Sequence, residues 1–239
     1  MNISGLMKTT LLDYPSHVAS TIFLGGCNFK CSFCHNMNLV SGKDNCSAYT
    51  EEEILSFLVK RQGILDGVCI TGGEPTLNSD LPNFIKKIKN LGYLVKLDTN
   101  GTNPEMLISL INKELIDYVA MDIKSSRSEY IKIAGLENIP YNEKENILKN
   151  IDTSKDFLLE EHVDYEFRTT IIEQYHNEKI IDDIGKYIKG AKRYFLQSFV
   201  ESEYVPDHEL CSCDNEQMIR FKEIMSKYIN NVELRGVDL

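Results

Sequence analysis

A chain of 239 residues that is 42% hydrophobic and 26% charged has the make-up of a globular protein, long enough for one large domain or two small ones and able to bury a sizeable core. Its 36 acidic residues outnumber 26 basic ones for a formal charge of -10, and no basic run occurs, so nothing tracks a phosphate backbone and nucleic acid is not expected as a partner. No stretch approaches the roughly 20 apolar residues of a membrane span, which sets the membrane aside as well. The opening segment MNISGLMKTTLLDYPSH has no basic start, apolar run or cleavage site, and Asp13 and Pro15 interrupt it, so a signal peptide is not expected and the cytoplasm is the expected address. In that reducing compartment seven cysteines read as metal ligands, catalytic groups or small buried hydrophobes rather than as a disulfide framework.

In chain order, a β-branched apolar run predicts a first strand over 17–24, followed by an unusual loop at 25–36. Thr50-Glu51-Glu52-Glu53 forms a capping box, in which the hydroxyl and the carboxylate satisfy orphan amides. It opens a helix carrying Ile54, Leu55, Leu58 and Val59 on one face. A second strand over 67–71 leads into Thr71-Gly72-Gly73-Glu74-Pro75, and Asp80 with Pro82 starts the next helix. A third strand at 93–98 runs into Asp98-Thr99-Asn100-Gly101, with Asn103 and Pro104 opening a helix. A fourth at 118–123 ends in Asp122-Ile123-Lys124, with helices over 126–134 and 142–150; a fifth spans 165–172 and contains Arg168. A helix at 177–189, a sixth strand at 193–199 and a helix at 215–228 complete the pattern.

Six strand-then-helix units imply a parallel α/β sheet, because parallel neighbours need a crossover of about a dozen residues or more. Six suit a partial (β/α)6 barrel better than the eight of a complete one. In such a fold ligands gather at the C-terminal edge of the strands. The unusual clusters of this chain fall at those edges.

Cys27-Asn28-Phe29-Lys30-Cys31-Ser32-Phe33-Cys34 puts three thiols within eight residues, behind Gly25-Gly26, which lets the backbone turn tightly off its strand. Three ligands on a four-iron cluster leave one iron open to bind a substrate. A zinc site completed by His35 competes, although adjacent Cys34 and His35 rarely reach one tetrahedral ion together.

The Cys-x3-Cys-x2-Cys spacing with an aromatic before the third cysteine resembles the signature of the radical S-adenosylmethionine (SAM) superfamily, and Gly72-Gly73-Glu74 resembles its second hallmark. Cys-Ser-Phe-Cys-His-Asn at 31–36, Leu-Asp-Thr-Asn-Gly at 97–101, Met-Asp-Ile-Lys at 121–124 and Arg168 are similar to the activating enzymes of glycyl radical enzymes. Leu11-Leu12-Asp13-Tyr14-Pro15 and Arg168-Thr169-Thr170-Ile171-Ile172 look most like the activators of anaerobic ribonucleoside-triphosphate reductase. The resemblance covers about residues 8–200. It implies a single radical SAM domain over 1–239, with a core at about 15–200 and a C-terminal extension at 201–239 to which the resemblance does not reach.

The resemblance further implies a 4Fe-4S cluster on Cys27, Cys31 and Cys34 that splits SAM to a 5′-deoxyadenosyl radical. Phe33, Cys34 and His35 would lie along the adenine, Gly72 and Gly73 would admit the methionyl amine, and Glu74 would meet its ammonium. Asp98, Thr99 and Asp122 resemble positions that in the activators of pyruvate formate-lyase surround a monovalent cation beside the SAM carboxylate, with Lys124 adjacent and Arg168 on a carboxylate or the ribose. The plainer readings stay open: Phe33 as a core aromatic, Gly-Gly-Glu-Pro as a surface turn, Asp98 as a loop cap, Asp122 paired with Lys124, and Arg168 in a structural salt bridge. Arg168 should share a strand face with Glu166 and Thr170. The implied partners are a glycyl radical enzyme as protein substrate and a flavodoxin or ferredoxin-type electron donor.

Of the remaining cysteines, Cys69 reads as a small buried hydrophobe, and Cys46, Cys211 and Cys213 offer thin support for an auxiliary cluster. His162, His176 and His208 read as solvent-exposed. Competing functions are activation of pyruvate formate-lyase or another glycyl radical enzyme, radical SAM chemistry on a small molecule, and a non-catalytic electron carrier or zinc protein. A carrier would need a fourth ligand and would have no use for Gly72-Gly73-Glu74.

Overall fold

The computed structural model describes residues 1–40 and 47–237. In order they form β1 (Ile3–Thr10), β2 (Ala19–Leu24), α1 (Met37–Val40), α2 (Glu51–Val59), β3 (Gly67–Gly72), a 3-10 turn (Pro75–Leu77), α3 (Leu81–Asn90) and β4 (Leu94–Thr99). Then follow α4 (Pro104–Asn112), β5 (Tyr118–Asp122), α5 (Tyr130–Ile133), α6 (Tyr141–Leu159), β6 (Asp164–Ile171), α7 (Glu178–Tyr187), β7 (Tyr194–Ser198), α8 (Asn215–Met225) and β8 (Val232–Arg235). The strands make one sheet in the order β1 to β8. Every pairing from β2 to β8 is parallel, and β1 runs antiparallel to β2. The six expected units are β2 to β7 with their helices, arranged as a partial barrel.

Two edge strands were not expected. β1 reads Ile-Ser-Gly-Leu-Met-Lys-Thr-Thr, with a glycine in mid-strand and an irregular register, so its alternation is weak. Its Gly5 lies where a Cβ would press on the Phe23 ring at 3.3 Å. β8 has only four residues, too few for a periodic signal.

The capping box is formed: the Glu53 amide donates to Thr50 Oγ1 at 3.2 Å and the Thr50 amide to Glu53 Oε2 at 2.7 Å. Asn103 caps α4 through the Met106 amide at 3.2 Å. Asp80 departs from expectation. It sits in helical backbone geometry and its side chain makes no capping bond, so α3 holds by burying Leu81, Phe84, Ile85 and Ile88, each worth roughly 1.5–3 kcal/mol. The helix expected at 126–134 is reduced to Tyr130–Ile133, while that at 142–150 extends over 19 residues. Tertiary contact extends it: Ser154 Oγ donates to the Gly101 carbonyl at 2.7 Å from the helix's second half.

Tyr14 closes the floor. Its ring is 3% exposed and packs with Ala19, Tyr118 and Leu94, the first residues of β2, β5 and β4. At Gly67, the first residue of β3, a Cβ would come within 2.9 Å of that ring, which explains the glycine. Among the described residues no helix is long and apolar enough to cross a membrane.

Candidate active site

The loop after β2 is held on three sides. Gly25 donates its amide to Asn2 at 3.0 Å, Lys30 donates to Ala134 at 2.9 Å, and Asp207 donates to Ser32 at 3.1 Å. Ser32 Oγ and the Tyr175 hydroxyl lie 2.8 Å apart. Asn28 receives a 2.9 Å bond from Asn100 and donates one of 2.9 Å to Thr102 Oγ1. These bonds aim three thiols into one cavity. Burial pushes Cys27 up to about 11, Cys31 up to about 12 and Cys34 also upward, each opposed by the nearby Lys124 ammonium. Iron binds the thiolate, so loading a cluster here must displace protons.

Gly72 and Gly73 have a cause that the sequence did not disclose. Gly72 has φ +118, and a Cβ there would meet the Leu24 carbonyl at 2.3 Å; one on Gly73 would meet the Gly26 carbonyl at 1.9 Å. The glycines let the end of β3 dock against the backbone of the cysteine loop, with Gly73 donating to Leu24 and Glu74 to Gly26, both at 2.8 Å. Asn36 completes the contact by donating to the Gly72 carbonyl at 2.9 Å.

The cavity measures about 630 Å³, and its walls carry Cys27, Cys31, Phe33, Cys34, His35, Gly72, Gly73, Asp98, Thr99, Asp122, Lys124 and Arg168. Of the residues singled out from sequence, Glu74 alone stands behind the wall. It is 1% exposed and accepts from the Thr76 amide (3.1 Å) and hydroxyl (2.5 Å), Thr99 Oγ1 (2.8 Å) and the Asn100 amide (2.6 Å). Its carboxylate braces the loop after β4. Phe33 is buried, and the Lys124 ammonium lies 5.7 Å from its ring centre. His35 faces Phe199 at 5.6 Å, and burial followed by Lys124 lowers its pKa.

One ionic lattice crosses the cavity. Arg168 Nε reaches Asp122 Oδ1 at 2.5 Å and its Nη2 reaches Asp98 Oδ2 at 3.0 Å. Lys124 pairs with Asp122 Oδ2 at 2.8 Å, and Lys96 with Asp98 Oδ1 at 2.5 Å. Burial alone would raise both aspartates. Arg168, joined by Lys124 at Asp122 and by Lys96 at Asp98, more than offsets this and holds both below the ordinary range.

Arg168 shares its inward face with Thr170, also on the cavity wall, and with Glu166, which takes a two-pronged contact from Arg235 (2.8 and 3.0 Å) and a 2.9 Å bond from Tyr118. Lys96 and Arg235 were missed. Lys96 had a signal: an inward position two residues before Asp98 in a strand. Arg235 had none, because β8 was not recognised.

Cys69 is fully buried, as expected, and its Sγ also lies 3.9 Å from Lys96 Nζ and 3.8 Å from Asp98 Oδ1. His176 is 2% exposed, contrary to the surface reading. Its Nδ1 accepts from the Ile172 amide at 3.1 Å, leaving Nε2–H to donate to the Lys124 carbonyl at 3.3 Å. His162 and His208 are exposed. Cys211 is exposed, Cys213 is buried, and Cys46 lies outside the described residues. Among the described residues no three His, Cys, Asp or Glu side chains converge on a single metal ion, so the geometry lends no support to the zinc site with His35. A four-iron cluster engages each cysteine through a different iron, so it needs three thiols on one cavity wall rather than three converging on a single point.

The radical SAM superfamily model matches residues 21–184. The “Putative glycyl-radical enzyme activating enzyme MJ1227” of Methanocaldococcus jannaschii is 35% identical over 242 residues, covering 99% of this chain and 96% of that protein. A second protein of the same organism and description, MJ1632, is 28% identical over 94% of this chain and 79% of its own length. In fold, the chain is similar to Streptococcus suis SuiB in its S-adenosylmethionine-bound crystal structure, with TM-score 0.68, 14% identity and 90% of this chain covered. The chain spans about half, 52%, of that protein's length.

Proposed function

The chain belongs to the radical SAM superfamily, and we propose that within it this protein is an activase that installs a glycyl radical on a separate glycyl radical enzyme, with anaerobic ribonucleoside-triphosphate reductase as the partner. It is an oxidoreductase that uses a 4Fe-4S cluster and SAM. When bound, these supply the carbon-centred radical that removes hydrogen from the partner's glycine.

The observation that carries the reading is the delivery of Cys27, Cys31 and Cys34 to the same cavity as the Asp98, Asp122 and Arg168 lattice. The thiols would hold three irons, with the Lys124 ammonium, itself paired with Asp122, nearby. Phe33 and His35 would flank the adenine. The end of β3 at Gly72 and Gly73 would receive the methionyl amine, and Arg168 and Lys124 would receive the carboxylate through charge-assisted bonds. Glu74 acts at one remove, by positioning Thr99 and Asn100. The 35% identity to a protein described as a glycyl-radical enzyme activating enzyme supports the activase reading. The narrower choice of partner rests on Leu11 to Pro15 and Arg168 to Ile172. The same reading places the protein in the cytoplasm, where cluster thiols stay reduced, and takes a flavodoxin or ferredoxin-type protein as its electron donor.

The test is electron paramagnetic resonance on the reconstituted, reduced protein mixed with SAM and candidate glycyl radical enzymes. A glycyl doublet that requires SAM and appears in the ribonucleotide reductase is the expected result. A doublet only in pyruvate formate-lyase changes the partner. Formation of 5′-deoxyadenosine without a protein radical in any candidate moves the assignment to small-molecule chemistry.

A further inference from the structure

Lys96 is a buried cation on the cavity wall that the functional reading leaves without a task. It is 2% exposed, lies two residues before Asp98 on the same inward face of β4, and pairs with Asp98 Oδ1 at 2.5 Å. The resemblance to the formate-lyase activators leads one to expect a monovalent cation among Asp98, Thr99 and Asp122, and the donor set does not fit one. Asp98 gives one oxygen to Lys96 and the other to Arg168; Asp122 gives one to Arg168 and the other to Lys124. Thr99 Oγ1 is engaged with Glu74 at 2.8 Å.

Charge balance makes the same point. Among groups in ionic contact across the lattice, two carboxylates face three cations, leaving one positive charge over. The nearby Glu166 does not alter the count, because Arg235 pairs with it. A SAM carboxylate entering beside Arg168 and Lys124 cancels the surplus. Without Lys96 the same assembly would be short by one positive charge, which is the deficit a single sodium or potassium ion fills. With Lys96 present, an added ion would bring an uncompensated buried charge, which is costly.

We propose that the Lys96 ammonium takes the place of a monovalent metal cation in this protein, so that SAM is bound without dependence on sodium or potassium. This rests on the reading of the cavity as the SAM site. Lys96 is then a positioning residue, holding Asp98 and through it Arg168 in the geometry that receives the carboxylate.

The experiment is anaerobic isothermal titration of SAM into the cluster-loaded protein in potassium, sodium and choline buffers, choline being too large for a cation site. Dissociation constants that agree within about twofold across the three are expected of the unaltered protein. Lys96→Met should bind about tenfold or more weakly in choline, the loss of roughly one ion pair, and recover when potassium or sodium is supplied. Lys96→Arg should stay indifferent to the cation.

Affinity of the unaltered protein that rises about tenfold when potassium or sodium replaces choline overturns the proposal, and that measurement needs no variant to fold. Lys96→Met binding normally in choline overturns it as well. A protein with an intact cluster spectrum that shows no saturable SAM binding in any buffer refutes the SAM-site reading itself, and the proposal with it.

Discussion

The Asp207 amide donates to the Ser32 carbonyl at 3.1 Å, fastening the segment after β7 to the loop that carries Cys27, Cys31 and Cys34. Tyr175 adds a second fastening from the loop after β6, through its hydroxyl to Ser32 Oγ at 2.8 Å. Tyr175→Phe removes this second bond, worth about 1 kcal/mol. Thermal unfolding should change little, while a chelator should strip iron from the reconstituted variant about fivefold faster. Unchanged release kinetics would show that the hydroxyl contact does not hold the loop.

Replacing Cys31, the most buried of the three thiols, with Ala should abolish SAM cleavage and leave iron well below the expected value of about four per chain. Iron analysis and the yield of 5′-deoxyadenosine measure this. A stable content near eight in the unaltered protein would instead revive an auxiliary cluster involving Cys211 and Cys213.

Glu74→Gln places an amide donor among four existing donors, so at least one hydrogen bond is lost and one polar contact is reversed. The cost in urea unfolding should be about 2–4 kcal/mol, accompanied by weaker SAM binding as Thr99 and Asn100 lose their brace. A variant with unchanged stability and selectively weakened SAM affinity would place Glu74 in direct contact with the ligand.

Gly73→Ala drives a methyl carbon into the Gly26 carbonyl. Backbone cannot swing aside as a flexible side chain does, so the expected loss is about 2 kcal/mol or more, with poor cluster incorporation. Gly63→Ala, at an exposed turn with φ +77 where no heavy atom lies within 4 Å of the added carbon, carries only the left-handed backbone strain of about 1–2 kcal/mol, far from the cysteine loop. It should incorporate the cluster normally and so separates general destabilisation from the local clash at Gly73.

Burial lowers the pKa of His176 to about 4, below the ordinary 6.5, so the unfolded chain binds this proton more readily than the folded one. Stability from neutral His176 is therefore complete above about pH 6.5 and is lost as pH falls towards 4, up to about 3 kcal/mol. Urea unfolding at pH 7 and pH 5 should show a smaller pH-dependent loss in His176→Gln than in the unaltered protein. Equal slopes would place the proton elsewhere.

The contrast between Asp98 and Glu74 shows how far the sequence could be read. Both were marked by their place at strand ends, and both are at the C-terminal edge. Yet Asp98 lines the cavity while Glu74 turns back into the protein, because Thr76, Thr99 and Asn100 come together only when β3 and β4 are side by side. Tyr14 carried a family resemblance in sequence and proves to plug the sheet's floor. His176 lay in a polar stretch and is nonetheless enclosed by the loops after β5 and β6.

By itself, the sequence determined the six strand-helix units, the cysteine loop, the capping box and the strand-end position of the polar clusters. All of these follow from local periodicity, capping chemistry or residue spacing along one segment. The tertiary structure alone decided that Arg168 bridges Asp98 and Asp122, that Lys96 neutralises Asp98 and that Arg235 meets Glu166. Such partners are chosen by which strands are neighbours and which side chains share the space inside the sheet, and burial then makes each pairing obligatory because an unpaired charge there would be costly.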